Sequence, residues 1–350
     1  MICRAAHDSE DFEGNQLSHD VITIDAGELV WAVAFGSRTA DTKPYSTNLN
    51  WYRYHIATDL LLATGLSSGR IRVWQVKTGS LMLELVDHKD VIRDLKFAPD
   101  ESIRLLSASR DGTLKLWELE DDGNMSKTLK GNCGWVYSCT WSPDAKMVCS
   151  TGDRKSVYLW DMTSYTQLYK LEGHNHNVCC CDFSPDGALL VTASYDTEAI
   201  IWDPYTGEKL KILGHMYPTP SAIFAGGANG SYVRGISFSH DGRHIATVCD
   251  DSYLRFWDMF NSEVPEQVAV VTNALCASYS PDGAVLAVGT RSGSLHLWMS
   301  PMQVSSLQHL CRIAIRRLLP SSRKLKSLVL PTRMRDFLMY RDPQSLNFGC

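Results

Sequence analysis

The fold is decided by residues 173–203, which read GHNHNVCCCDFSPDGALLVTASYDTEAIIWD. Gly-His opens this stretch and Trp-Asp closes it. Between them lie three short runs rich in apolar and β-branched residues, at 178–183, 189–194 and 199–202, and the turns Ser-Pro-Asp-Gly and Tyr-Asp-Thr separate them. Short runs bounded by such turns predict antiparallel strands joined as a meander. A sheet this small cannot bury both of its faces, so it requires neighbours of the same kind.

The closing tryptophan recurs along the chain. Its positions are Trp74, Trp117, Trp160, Trp202, Trp257 and Trp298, with spacings of 43, 43, 42, 55 and 41 residues. The internal turn recurs as well, for example at 97–100, 141–144, 238–242 and 279–283. Over roughly residues 25–300 the chain resembles the WD40 family, whose repeats of about 40–45 residues each form one four-stranded blade. The resemblance implies an all-β propeller.

Six repeats are visible, and the number of blades is left open. Residues 1–20 are expected to be a disordered tail, 21–300 the propeller and 303–345 a separate C-terminal unit. Val21–Ile24 is a candidate closing strand for a six-bladed ring, and the alternative is a seven-bladed ring that lacks its first blade. Two insertions rich in turn residues, at 36–55 and 216–231, are expected to be surface loops.

The resemblance also implies a buried hydrogen-bonded set of His, Ser or Thr, Asp and Trp in each blade. Three complete sets match: His88, Ser107, Asp111, Trp117; His174, Thr192, Asp196, Trp202; and His215, Thr247, Asp251, Trp257. The third blade departs, with Asn132 and Arg154 at two of the positions. Three copies at a fixed repeat indicate a structural role, since catalysis needs one activated nucleophile in a cleft. No catalytic site, metal site or cofactor is expected.

Charge divides the chain in two. Nine basic and two acidic residues follow Gln303, so the first 302 residues carry a net charge of about −12 while the whole chain carries −5. Eleven cysteines without CxxC spacing favour free thiols in a reducing compartment. The polar N-terminus does not resemble a signal peptide, and no apolar run reaches the roughly 18 residues of a membrane span. We expect a protein of the cytoplasm, with the nucleus left open, and no membrane partner.

The pattern changes to a helical period after Pro301. Between residues 306 and 319 apolar side chains fall at 307, 310, 311, 314, 315 and 318, which predicts a helix that ends before Pro320. Shorter helices are predicted at 323–329 and 332–340. On periodicity alone, a helical cap packed on the propeller with a solvated basic face explains the segment equally well.

The spacing Ser306-Leu307-x-x-x-Cys311-x-x-x-Ile315, followed by Leu328-Val329-Leu330-Pro331, resembles a SOCS box. That resemblance implies an elongin C-binding face made by Leu307, Leu310, Cys311 and Ile315. It implies cullin-binding residues Leu328, Leu330, Pro331 and Phe337, although Val329 stands where the SOCS box has a proline. A WD40 ring with this tail resembles the WD-repeat and SOCS-box-containing family. The family resemblance implies a substrate receptor of a ubiquitin ligase, with elongin B, elongin C and a cullin-five-type scaffold with its RING subunit as partners.

One end of the ring is the expected substrate-binding face. Interface-forming side chains fall there at corresponding positions of the repeats: Trp31, Arg93, Arg110, Trp135, Tyr137, Tyr195, Tyr232, Arg234 and Arg291. Arginines on an acidic ring suggest a protein substrate with acidic or phosphorylated groups. Two alternatives remain at this stage: a plain WD40 scaffold whose tail only caps the ring, and a nucleic-acid binder that uses the basic tail.

Overall fold

A computed structural model describes residues 23–36, 60–100, 102–121, 123–131, 134–215, 232–259, 264–280, 284–299, 307–319, 321–328 and 330–341. The expected N-terminal tail, Asn132, Val329, the loop at 216–231 and most of the loop at 36–55 lie outside these ranges.

The propeller prediction is confirmed, because the strands form six sheets in chain order. Blade one contains β1 (Val30–Gly36), β2 (Leu61–Leu66), β3 (Arg70–Gln75) and β4 (Leu81–Val86). Blade two contains β5 (Ile92–Phe97), β6 (Arg104–Ser109), β7 (Thr113–Glu118) and β8 (Asn124–Lys130). Blade three contains β9 (Val136–Trp141), β10 (Met147–Gly152), β11 (Val157–Asp161) and β12 (Thr166–Lys170).

The second half of the ring repeats this arrangement. Blade four contains β13 (Val178–Phe183), β14 (Leu190–Ser194), β15 (Glu198–Trp202) and β16 (Lys209–Gly214). Blade five contains β17 (Val233–Phe238), β18 (His244–Cys249), β19 (Tyr253–Asp258) and β20 (Gln267–Val270). Blade six contains three described strands, β21 (Ala274–Tyr279), β22 (Val285–Thr290) and β23 (Leu295–Met299).

Every blade is an antiparallel meander, and the core lies between successive blades. Extensive contacts among the described strands join each innermost strand to that of the next blade in the chain, from β1 to β5 and onward to β21. The first and last blades keep apolar side chains in solvent: Phe35 is 61% exposed and Leu297 is 66% exposed. The proposed closing strand is wrong in its described part, because residues 23–26 form no strand and Ile24 packs on Leu66 and Trp74 of blade one.

A β-bulge recurs at the start of the innermost strand of each blade. In blade two, for example, the pairing shifts between Ile92 and Asp94, so that Arg93 is left without a partner in the ladder. The same shift leaves Trp31, Tyr137, Cys179, Arg234 and Leu275 in the corresponding position of the other five blades. A bulge redirects the side chain of the extra residue. Six equivalent side chains are therefore directed to the same end of the ring.

Three helices follow the last blade: α1 (Leu307–Leu318), α2 (Ser322–Ser327) and α3 (Thr332–Leu338). Their number and order agree with the sequence-based prediction. The end of α1 at Leu318 is two residues before Pro320. Leu325 of α2 and Leu338 of α3 meet in a small apolar cluster of their own.

Candidate functional site

The repeated polar sets lie inside the blades. In blade two, His88 Nδ1 lies 2.7 Å from Asp111 Oδ2, and Nε2 lies 2.7 Å from Ser107 Oγ. Trp117 Nε1 donates to the same hydroxyl at 2.9 Å. Burial acts to raise the pKa of Asp111, but hydrogen bonds from His88 and Thr113 outweigh it and hold that pKa well below its ordinary value. Ser107 is fully buried, so this set lies inside the blade away from solvent, and such fully paired buried groups fix the blade.

Blade four repeats this geometry. His174 lies 2.9 Å from Asp196 and 2.7 Å from Thr192, and Trp202 Nε1 donates to Thr192 at 2.9 Å. The bond from tryptophan to hydroxyl also persists in blades one and three, from Trp74 to Thr64 and from Trp160 to Ser150. The tryptophan–hydroxyl bond joins the second and third strands. Among the described residues it therefore occurs in more blades than the histidine–hydroxyl bond does.

Blade five departs from the set inferred from its sequence. His215 lies 2.9 Å from Thr247, and Trp257 donates to Thr247 at 2.9 Å, but His215 Nδ1 faces the Thr197 carbonyl instead of Asp251. Asp251 accepts two hydrogen bonds from Arg255, whose side chain is fully buried. A buried guanidinium needs a carboxylate more than a neutral imidazole does. The inclusion of Asp251 in the histidine set is therefore wrong.

Eight of the nine predicted face residues form one continuous surface. We call it the arginine–aromatic cluster: Trp31, Arg93, Arg110, Trp135, Tyr137, Tyr195, Tyr232 and Arg234. The contacts run around the ring, with ring centroids 6.4 Å apart for Trp135 and Tyr137, 6.5 Å for Tyr137 and Tyr195, and 4.8 Å for Tyr195 and Tyr232. Arg291 belongs to blade six, is exposed, and has no contact with the cluster among those described.

The arginines of the cluster lie over aromatic rings. The Arg93 guanidinium is 4.9 Å from the Trp31 ring and 5.7 Å from the Tyr137 ring. The Arg110 guanidinium is 4.4 Å from the Trp135 ring and 5.9 Å from Trp31. These are cation–π distances. The rings hold the guanidinium groups in place at the end of the ring to which the bulges direct them.

His176 is a further member that sequence reasoning missed as a binding residue. Its ring is 5.9 Å from Tyr195 and 6.1 Å from Tyr232. The sequence draws attention to His174 because of its motif, and His176 lies two residues later in the same loop. The position of that loop at the face end of blade four was the available signal.

The first C-terminal helix has an unusual division of its two faces. Its buried side chains include His309, Arg312 and Arg316, each 1% exposed. Ile313 is buried beside them, but four other apolar side chains point to solvent: Leu310 is 50%, Ile315 39% and Leu318 81% exposed, and Cys311 is exposed as well. Leu307 begins the helix, but its side chain is outside the described part. A helix that only capped the ring would bury its apolar side, whereas α1 leaves most of that side in solvent.

The C-terminal helices are held by contacts between α1 and the turn of blade five, between α1 and α3, and between Tyr340 after α3 and the turn of blade four. His309 Nε2 donates to the Asp241 carbonyl at 2.8 Å, and the Arg312 guanidinium lies 3.6 Å from the Phe337 ring. Tyr340 donates to Asp186 Oδ2 at 2.7 Å. These contacts orient the helix so that Leu310, Cys311 and Ile315 face outward.

Comparison with known proteins agrees with both parts. The WD domain, G-beta repeat, matches residues 79–118, 123–161, 165–203, 219–258 and 268–299, and the SOCS box matches residues 303–339. WD repeat and SOCS box-containing protein 1 of Homo sapiens is 54% identical over 319 residues, which is 91% of this chain and 75% of that protein. The chain belongs to the WD repeat and SOCS box-containing family. The counterpart of Danio rerio is 52% identical over the same shares of both chains.

A more distant relative matches a smaller share of the chain. Apoptotic protease-activating factor 1 of Homo sapiens is 29% identical over 213 residues, 61% of this chain and 16% of that protein. In the chain described here, the first three matched WD segments begin just before the outermost strand of one blade and end at, or one residue after, the third strand of the next.

The SOCS box segment after α2 divides into exposed and packed residues. Leu328 is 39% exposed and Pro331 is exposed, while Leu330 packs on the cluster of Leu325 and Leu338. Phe337, inferred as a cullin contact, is half-buried beneath Arg312. The structure thus gives Phe337 a contact within the chain.

Two further observations bear on metal binding and on membrane spans. Within the described ranges, one group of three metal-ligand types comes together, His244, Asp258 and Glu266, and Asp258 already accepts a hydrogen bond from Arg243. No helix in the described part of the chain is both long and apolar enough for a membrane span.

Proposed function

We propose that this chain is a non-catalytic substrate receptor of an elongin–cullin–SOCS box ubiquitin ligase. The observation that carries the proposal is the division of α1, which buries Arg312 and Arg316 and exposes Leu310, Cys311 and Ile315. A helix with a solvated apolar stripe fits a helix-in-groove interaction with a partner. The SOCS box match and the family membership support the same assignment.

Each surface receives one role in this proposal. Leu307, Leu310, Cys311 and Ile315 would bind elongin C, which brings elongin B. The exposed end of α2 with Leu328 and Pro331 would reach a cullin-five-type scaffold and its RING subunit. The arginine–aromatic cluster would hold the protein substrate. We place this assembly in the cytoplasm, with the nucleus as a second compartment.

The exposure of the apolar stripe disfavours the scaffold alternative. A tail that only caps the ring would bury Leu310, Ile315 and Leu318, and these are 50%, 39% and 81% exposed. The nucleic-acid alternative loses two of its cations, because Arg312 and Arg316 are buried and cannot reach phosphates in solvent.

The test is co-purification of the full chain with elongin B and elongin C. Wild type should capture both, and Leu310→Ala/Cys311→Ala/Ile315→Ala should lose them. Leu297→Ala is the matched control, since Leu297 is 66% exposed but lies on blade six. Absence of capture by folded wild-type protein, or capture by the triple variant at the wild-type level, contradicts the proposal.

A further inference from the structure

The arginine–aromatic cluster contains three cations in two different states. Arg234 is neutralised: its guanidinium donates to Asp250 at 2.7, 2.9 and 3.0 Å and to the Tyr195 hydroxyl at 3.0 Å. The hydrogen bonds to Asp250 raise the pKa of Arg234 above its ordinary value. Asp250 therefore already neutralises the charge of Arg234 within the ring.

Arg93 and Arg110 are in the opposite state. Neither guanidinium forms an ion pair with a described carboxylate, and the Nε atom of each is buried without a hydrogen-bond acceptor among the described residues. Burial, together with the positive charge of Arg110, lowers the pKa of Arg93. Buried donors of this kind are costly unless a ligand satisfies them.

The walls of this site are also suited to a ligand. Trp31 is 47% exposed and Trp135 is 43% exposed, and the two rings flank Arg93 and Arg110. Tryptophan and arginine are residue types that dominate protein interfaces, and here two half-exposed tryptophans lie beside two arginines. The carboxylates that follow these arginines in the chain are engaged elsewhere: Asp94 accepts hydrogen bonds from Ser138 and the Cys139 amide of the next blade, and Asp111 is bonded to His88 and Thr113.

We propose that Arg93 and Arg110, between Trp31 and Trp135, form an anion-binding subsite for one negatively charged side chain of an extended peptide segment. This inference rests on the proposed function and narrows it to a substrate class. Two guanidinium groups without a counter-ion among the described residues suit a phosphate or a carboxylate, which they bind through charge-assisted hydrogen bonds. The acidic character of the ring as a whole disfavours a nucleic acid, whose phosphates it would repel.

The probe is a set of three degenerate peptide pools that differ at one fixed central position: phosphoserine, glutamate or serine. Binding to the purified full chain is measured by fluorescence anisotropy at two salt concentrations. We expect at least about tenfold tighter binding of a charged pool than of the serine pool, which corresponds to one charge-assisted contact. Preference for phosphoserine assigns the site to phosphate, and equal binding of glutamate assigns it to either anion.

Arg93→Gln/Arg110→Gln should abolish that preference. Arg104→Gln should retain it, because Arg104 also lies over a tryptophan, Trp141 at 5.4 Å, but is paired with Asp100 at the other end of blade two. Equal binding of all three pools, an unaffected double variant with a wild-type melting profile, or displacement of the peptide by single-stranded RNA in preference to phosphopeptide overturns the proposal. Elongin capture on the same preparation separates the two hypotheses, since it depends on α1 and not on this face.

Discussion

The contact between Tyr340 and Asp186 gives a quantitative prediction about how the SOCS box is attached to the ring. Burial and the adjoining carboxylate raise the pKa of Tyr340 well above its ordinary value, so the phenol remains a donor across neutral pH. Its hydroxyl donates to Asp186 Oδ2 at 2.7 Å. A hydrogen bond to a charged acceptor contributes about 2 kcal/mol. Tyr340→Phe should therefore favour the detached box by about 30-fold relative to wild type.

Hydrogen exchange of the backbone amides in α1 measures this change. The helix has 12 residues, and a helix of that length is marginal without tertiary contacts, so detachment exposes its amides to exchange. Protection of α1 should fall by about 30-fold in the variant, while protection of β13 to β15 should not change.

Two further variants define the test. Tyr169→Phe removes a hydroxyl that donates to the Tyr205 carbonyl within the ring at 3.0 Å, and it should leave α1 protection as in wild type. Tyr340→Phe combined with Asp186→Asn isolates the pairwise energy. If α1 in folded Tyr340→Phe exchanges within twofold of wild type, or if the coupling energy is zero, the hydrogen bond does not hold the box and the reasoning is refuted.

Three other predictions concern the blades and the cullin segment. Ser107→Ala removes the partner of both a buried histidine nitrogen and Trp117 Nε1, so the free energy of unfolding in urea should fall by about 2–4 kcal/mol; a fall below about 1 kcal/mol contradicts the network. Burial, with the charge of Arg255 nearby, lowers the pKa of His215 from 6.5 to about 3, so its neutral form stabilises the fold above pH 6.5 and this contribution is lost as the pH falls toward 3. The contribution of His215 to the free energy of unfolding should fall by about 2 kcal/mol between pH 6.5 and 5. In His215→Gln the free energy of unfolding should therefore depend less steeply on pH. Equal pH dependence in wild type and variant would contradict this prediction. Val329→Pro should increase co-purification of the cullin scaffold without changing elongin capture, because proline presets an extended backbone, and an unchanged cullin yield would remove Val329 from consideration.

Much of the ring could be predicted from spacing and turn chemistry. The first run in the stretch that decides the fold, 178–183, coincides with β13, and the other two begin within one residue of β14 and β15. Alternation of side chains and Pro-Asp-Gly turns are local signals that the fold does not override. Predicting the direction of the bulged side chains requires the register of strand pairing, which the sequence alone does not provide.

Other features depended on contacts between distant residues. Asp251 occupies the motif position for a partner of His215, yet Arg255 four residues later takes it, and a basic residue inside a buried strand was the signal for that choice. Periodicity alone left burial of the apolar side of α1 open, whereas the structure buries Arg312 and Arg316, with Arg312 over the rings of Phe337 and Tyr340. Only the resemblance to the SOCS box pointed to the observed orientation.

The packing of each described blade on its chain neighbours has a consequence for cooperativity. An array of this kind can lose structure from an end while its middle persists. Trp31 belongs to the first blade, where Val33 and Phe35 are 59% and 61% exposed, whereas the helices are attached through blades four and five. Local unfolding of blade one would remove Trp31 from the arginine–aromatic cluster and leave the attachment of the helices intact. Affinity for a target could then vary with local stability in one blade, independently of assembly at the other end of the molecule.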